Sequence, residues 1–156
     1  MKIGLANGCF DLLHEAHLYF LEHCREHCDY LIVAVNSDRS VRRLKGPERP
    51  VESLWQRIGN LHVRASAWVE AVIPFEGRED MLAMELRPDV ILKGYDHTPE
   101  LKSALCMRIP RWRTPVRDGE PHGNSWDVIP IIGIDKLEGF STSLQLARAR
   151  DKTGAR

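Results

Sequence analysis

Apolar runs alternate with helical periods along this chain. Residues 2–6 are a short apolar run, and 30–35 an almost continuous β-branched one, the mark of a strand covered on both faces. Residues 69–75, 89–92 and 128–132 read as further strands. Between them, 16–28 carries Phe20, Leu21, Cys24 and Cys28 at helical spacing. Residues 54–67 and 78–86 read as helices, the second ended by Pro88, and a last helix is predicted over 142–150. Strand and helix in alternation predict an α/β, Rossmann-like, doubly wound fold: a five-stranded parallel sheet with helices on both faces. Ligands of such sheets bind beyond the carboxyl ends of the strands, where the strand order reverses. Two stretches lack a period. Residues 38–51 are predicted as a basic loop punctuated by proline and glycine, and 101–127, which holds Arg108, Arg111, Arg113 and Arg117, as irregular. A single domain is expected to occupy 1–150, with 151–156 a frayed tail.

Composition narrows the function classes. A chain of 156 residues is expected to be one domain, large enough to bury a core. Basic and acidic residues number 22 each, so no global field favours nucleic acid or an anionic membrane, and any anion site must be local. No apolar run reaches membrane-span length and the first residues lack a signal pattern, which makes a cytoplasmic location the expectation. Cys9, Cys24, Cys28 and Cys106 do not form the framework of a small secreted domain.

The chemistry concentrates just past the first strand, in Gly8-Cys9-Phe10-Asp11-Leu12-Leu13-His14-Glu15-Ala16-His17. Two histidines three apart at a helix start lie near free backbone N–H groups, a setting for phosphates. The plainer alternative is a helix-start pair with no ligand. Gly8 lets backbone approach a ligand, Phe10 reads as core, and Asp11 can orient a histidine, meet a metal-bound phosphate or cap the helix.

Gly-Cys-Phe-Asp-x-x-His-x-x-His resembles the signature of the cytidylyltransferase-like nucleotidyltransferases, usually His-x-Gly-His. The likeness continues through Val35-Asn36-Ser37-Asp38, Arg43-Leu44-Lys45-Gly46, Arg49-Pro50-Val51, Gln56-Arg57 and Lys93-Gly94-Tyr95-Asp96, which are similar to the adenylyltransferase domain of bacterial ADP-heptose synthases. Glu138-Gly139-Phe140-Ser141-Thr142-Ser143 resembles a closing motif also found in glycerol-3-phosphate cytidylyltransferases. The blocks stand in order over 1–100 and 128–150 and miss the arginine-rich stretch.

The resemblance implies attack by a phosphomonoester on the α-phosphate of a nucleoside triphosphate, with release of pyrophosphate. The nucleophile is already an oxyanion, so alignment and charge stabilisation must carry the rate. It implies that His14, His17 and Lys45 act on the phosphates. Gly8, Cys9, Phe10, Asp11, Ala16, Arg57, Lys93, Gly94, Asp96, Ser141, Thr142 and Ser143 would line the nucleotide, with Asp38 and Arg49 near the substrate. For Lys45 the alternative is a solvated loop lysine, for Arg57 a surface ion pair, and for Ser141 to Ser143 ordinary capping. ATP with a sugar phosphate such as heptose 1-phosphate is the first expectation, with Mg²⁺ carried by the triphosphate and a homodimer as the assembly. CTP with glycerol 3-phosphate or another polyol phosphate is the second, and a nucleotide-binding regulatory protein without turnover the third. No sugar-kinase pattern accompanies the domain, so a separate kinase is expected to supply the phosphorylated substrate.

Residues 14–28 also hold four histidines and two cysteines, which invites a metal. The spacings do not match: His14 and His17 are one residue short of the zinc-protease pattern, and Cys24 and Cys28 lie four apart. No protein-held metal is expected. Ala16 departs from the family's glycine. Alanine suits a helix, so the expected consequence is one extra methyl beside the nucleotide, and Ala16→Gly is expected to preserve or raise catalytic efficiency. The arginines of 101–127 can clamp an anionic substrate, pair with another subunit or be solvated.

Overall fold

The computed structural model describes residues 1–94, 106–110, 126–135 and 137. In chain order the elements are β1 (Ile3–Gly8), α1 (Glu15–Arg25), β2 (Tyr30–Asn36), α2 (Asp38–Lys45), α3 (Leu54–Arg64), β3 (Ala71–Phe75), α4 (Glu79–Leu86), β4 (Val90–Gly94), β5 (Cys106–Pro110) and β6 (Trp126–Ile134). The sheet order is β3-β2-β1-β4-β6-β5. Strands β3, β2, β1, β4 and β6 are mutually parallel, the five-stranded parallel sheet that the alternation predicts. The chain steps outward from β1 to β3, then returns to place β4 on the other side of β1, so the order reverses between β1 and β4.

Two elements depart from the expectation. The supposed basic loop at 38–51 begins with α2. Ser37 caps it by accepting from the Ser40 N–H at 3.1 Å, Asp38 opens it, and Arg42, Arg43 and Lys45 fill its last turn. Those charges suit the helix dipole at both ends. The glycine and prolines that suggested a loop come only afterwards, with Gly46 at φ 97 ending the helix. The second departure is β5, a sixth strand within the stretch expected to be irregular. It runs antiparallel to β6, with Cys106 opposite Pro130 and Pro110 opposite Trp126. An antiparallel neighbour needs no crossover helix, so no helical period announces it. The helix predicted over 142–150 lies outside the described residues, as does the tail.

One core fills the space between the sheet and helices α1 and α3, built on Ala6, Leu21, Leu31, Val33, Leu61 and Leu92. On the opposite face Leu82 of α4 packs with Leu5 and Ala34, and Ala83 with Ile91. Gly4 belongs to the first of these contacts in a negative sense: a Cβ there would meet the Cys28 sulfur at 2.6 Å. Cys24 and Cys28 are buried, and burial pushes both thiols up, which suits small core residues.

The amino edge of the sheet is tied by carboxylates. Asp29 accepts from the Lys2 N–H at 2.6 Å, Asp89 from the Ile3 N–H at 2.7 Å and Glu70 from the Leu31 N–H at 2.6 Å. Each of the three residues immediately precedes, or lies next to the start of, the strand beside the one it ties.

Candidate active site

The loop from β1 to α1 lies at the carboxyl edge, beside the β1/β4 reversal. It is an uncommon piece of backbone, for Phe10 and Leu12 both adopt left-handed φ values, 47° and 55°. Such residues cost about 1–2 kcal/mol each and persist only where their surroundings hold them. Asp11, between them, is the reason they persist here. Its carboxylate accepts from the Val51 N–H at 3.0 Å, the Glu52 N–H at 3.0 Å and Arg49 Nε at 2.6 Å, and a second Arg49 nitrogen pairs with it. Burial alone would push this carboxyl up, but the two backbone N–H groups and Arg49 outweigh it and hold it below its ordinary value. Glu52 returns the bond by accepting from the Leu12 N–H at 3.2 Å. Residues 49–52 therefore form a strap across the motif loop, and Asp11 and Arg49 are engaged with each other.

Arg57 sits beneath the strap and is fully buried. Its Nε donates to the Glu52 carbonyl at 3.1 Å. One terminal nitrogen donates to the Cys9 carbonyl at 2.6 Å, and the other to the Asn36 carbonyl at 2.8 Å and to Asp38 at 2.7 Å. The ion pair that the sequence allows at this position thus exists, but below the surface. Gln56 closes a capping box with Ser53: its Oε1 accepts from the Ser53 N–H at 2.9 Å, and its own N–H donates to Ser53 Oγ at 3.4 Å.

His14 is the N-cap of α1 and His17 lies in its first turn. The two rings are stacked, with centroids 3.8 Å apart and planes at 20°. The His14 backbone N–H donates to His17 Nδ1 at 3.4 Å, which puts the proton of the neutral His17 ring on Nε2. Phe10 is a core residue whose ring lies tilted against His17, 5.4 Å between centroids, and fills the space that a Cβ on Gly8 would need. His14 is 7% exposed, and its Nδ1 is buried without a hydrogen-bond partner among the described residues. Burial is the main cause that lowers both histidines, His17 down to about 3. The charges of Lys45 and Arg64 lower both further.

Lys45 ends α2 and is exposed. Arg64 was not anticipated. It ends α3, donates to the Leu13 carbonyl at 2.6 Å and pairs with Glu15 at 3.2 Å. A basic residue in the last turn of a predicted helix was its only sequence signal. Ala16 has helical backbone in α1, with no left-handed strain. Lys93 and Gly94 end β4, and Lys93 pairs with Glu79 at the start of α4. Asp96, Ser141, Thr142 and Ser143 lie outside the described residues. Among the described residues no three His, Cys, Asp or Glu side chains gather as a metal site. No described helix is long and apolar enough to cross a membrane.

A neutral, stacked histidine pair on a helix start, with Arg64 bound to the neighbouring Leu13 carbonyl at the carboxyl edge of a doubly wound sheet, can donate hydrogen bonds to phosphate groups. The chain belongs to the cytidylyltransferase-like family, whose model matches residues 5–121, and is a nucleotidyltransferase. The match runs into the arginine-rich stretch, which the motif blocks alone had left out. The bifunctional protein HldE of Hyphomonas neptunium is 46% identical over 150 residues, 96% of this chain and 27% of that protein. The protein of the same name from Haemophilus ducreyi is 50% identical over 100 residues, 64% of this chain and 21% of that protein. The chain thus spans about a quarter of the length of these curated relatives. Among solved structures, a lipopolysaccharide core biosynthesis protein from Thermoplasma volcanium superposes with a TM-score of 0.56 at 27% identity, covering 65% of this chain and 82% of that one. A bifunctional NMN adenylyltransferase/ADP ribose pyrophosphatase from Francisella tularensis shares the fold, with a TM-score of 0.51 at 14% identity over 95% of this chain and 41% of that one.

Proposed function

We propose that the chain transfers the AMP group of ATP to a sugar phosphate of the heptose 1-phosphate kind. A phosphate oxygen of the acceptor attacks the α-phosphorus, the bond from that phosphorus to the bridging oxygen breaks, and pyrophosphate leaves with the electron pair. No general base is needed, since the attacking oxygen is already ionised. His17 Nε2–H and His14 donate to the phosphates, and Lys45 and Arg64 offset the charge that moves onto the leaving group. Arg57, Asp11 and Arg49 act as positioning residues, holding the loop and the histidines without touching substrate. Cys9 and Gly8 give the nucleotide a close backbone approach, and Mg²⁺ arrives on the triphosphate. The enzyme acts in the cytoplasm as a homodimer.

The observation that carries this reading is the stacked histidine pair with Lys45 and Arg64 in electrostatic reach. Its nucleotide and sugar assignment is supported by the relatives named HldE. The test is pyrophosphate release from each of the four nucleoside triphosphates with a panel of phosphomonoesters. ATP with a heptose or hexose 1-phosphate is expected to be fastest. A preference for CTP with glycerol 3-phosphate would replace the assignment, and nucleotide binding with no release under any pairing would sink the enzymatic reading.

A further inference from the structure

The opposite face of the same sheet edge carries a second polar group. Ala6 pairs with Leu92 across β1 and β4, and both belong to the core on the α1 side. Side chains alternate along strands, so the next residues, Asn7 and Lys93, turn to the α4 side. There Glu79, first residue of α4, pairs with Lys93, both side chains being 25% exposed. Asn7 Oδ1 is buried and has no hydrogen-bond partner among the described residues. A buried acceptor without a partner is a standing cost to the fold, and a ligand donor would remove it.

We infer that Asn7, Glu79 and Lys93 bind the hydroxyl groups of the acceptor substrate, and so select a polyhydroxylated one; this rests on the proposed nucleotidyl transfer. The chemistry of the trio is specific. Lys93 and Glu79 cancel in charge, so the group has no net attraction for a phosphate. Asn7 Oδ1 and the Glu79 carboxylate accept hydrogen bonds, and an ionised phosphate has none to give. Sugar hydroxyls give and accept both, and match two acceptors beside an ammonium. The reaction geometry agrees. Attacking and leaving oxygens lie in line on opposite sides of the α-phosphorus. With pyrophosphate leaving on the histidine side of the sheet edge, the acceptor comes from the other side, where Asn7 and Lys93 stand. The ribose of the nucleotide also carries hydroxyls, and the ligand that loses affinity tells the two sources apart.

The experiment is calorimetric titration of mannose 1-phosphate, and of heptose 1-phosphate, into the chain saturated with a non-hydrolysable ATP analogue. Binding needs no turnover, so the inference is tested apart from the catalytic reading. Asn7→Ala and Glu79→Gln are each expected to weaken sugar-phosphate binding tenfold or more, with the affinity for the ATP analogue unchanged within twofold. Asn7→Leu removes the unpartnered acceptor, so its melting temperature is expected to equal or exceed that of the parent while sugar binding is lost, an outcome that a purely structural role would not give. Unchanged sugar-phosphate affinity in Asn7→Ala, loss of ATP-analogue affinity instead, or no binding of either sugar phosphate by the parent would overturn the assignment. Sugar-phosphate binding that depends on Asn7, together with no pyrophosphate release, would uphold this site and reject the proposed transfer.

Discussion

At the amino edge of the sheet, polar groups are matched within the protein. Asp29, Glu70 and Asp89 each take a strand N–H at 2.6–2.7 Å, and among the described residues no buried side-chain polar atom is left unpartnered there. At the carboxyl edge of the same strands the reverse holds. Two left-handed residues sit in one loop, His14 Nδ1 and Asn7 Oδ1 are buried without partners among the described residues, and burial holds His17 neutral. The two edges share one sheet and one composition. They differ in whether the protein completes its own hydrogen bonding, and the incomplete edge is where a phosphate-bearing ligand would complete it.

If this contrast is sound, the structure that holds the carboxyl edge in place should cost most when removed. Arg57→Leu leaves three backbone carbonyls and Asp38 without their donor and is expected to lower stability by about 3–5 kcal/mol, measured by denaturant unfolding. A change well under 1 kcal/mol would mean that the clamp is dispensable. His14→Ala and His17→Ala should split the other way, with catalytic efficiency down by about 10²–10³ and the melting temperature little altered. Near-normal rates in either would remove its role. The neutral His17 should also show in stability against pH. Its folded value of about 3 lies below the ordinary 6.5, so the unfolded chain takes up the proton first. Its contribution is complete above about pH 6.5 and declines as the pH falls from there towards 3, at no more than about 1.4 kcal/mol per pH unit. Asp11, also held low, acts only below its ordinary 3.8, so the two windows separate. Unfolding measured between pH 7.5 and 4.5 should show a shallower decline in His17→Asn, and identical slopes would contradict the burial of a neutral ring. The smallest effect belongs to the amino edge. Asp89→Ala should cost about 1 kcal/mol and leave every Michaelis constant unchanged, whereas a shifted constant would mean that the two edges are coupled.

The sequence was legible wherever a period or an ordered motif existed. The five parallel strands came from apolar runs, and the family from motif blocks in sequence. Element α2 was hidden because its stabilisers are a serine cap and charges, which in composition look like a loop. Strand β5 was hidden because its partner runs antiparallel. Arg57 was recognisable as important, yet nothing local says that its guanidinium points inward to the carbonyls of Cys9, Asn36 and Glu52, which lie 48, 21 and 5 residues away. Asn7 had no signal at all, since a buried acceptor without a partner is a property of its surroundings and not of its residue type.

The strap over the motif loop has a consequence for the order of events during synthesis. The motif at 8–17 leaves the ribosome before the residues that hold it. Yet the groups that fix its backbone, Arg49, Val51, Glu52 and Arg57, follow some forty residues later. A nascent chain ending before Arg49 would carry both histidines and no means of holding them in place. The motif loop therefore takes its final shape late, when the growing chain folds residues 49–57 back over it.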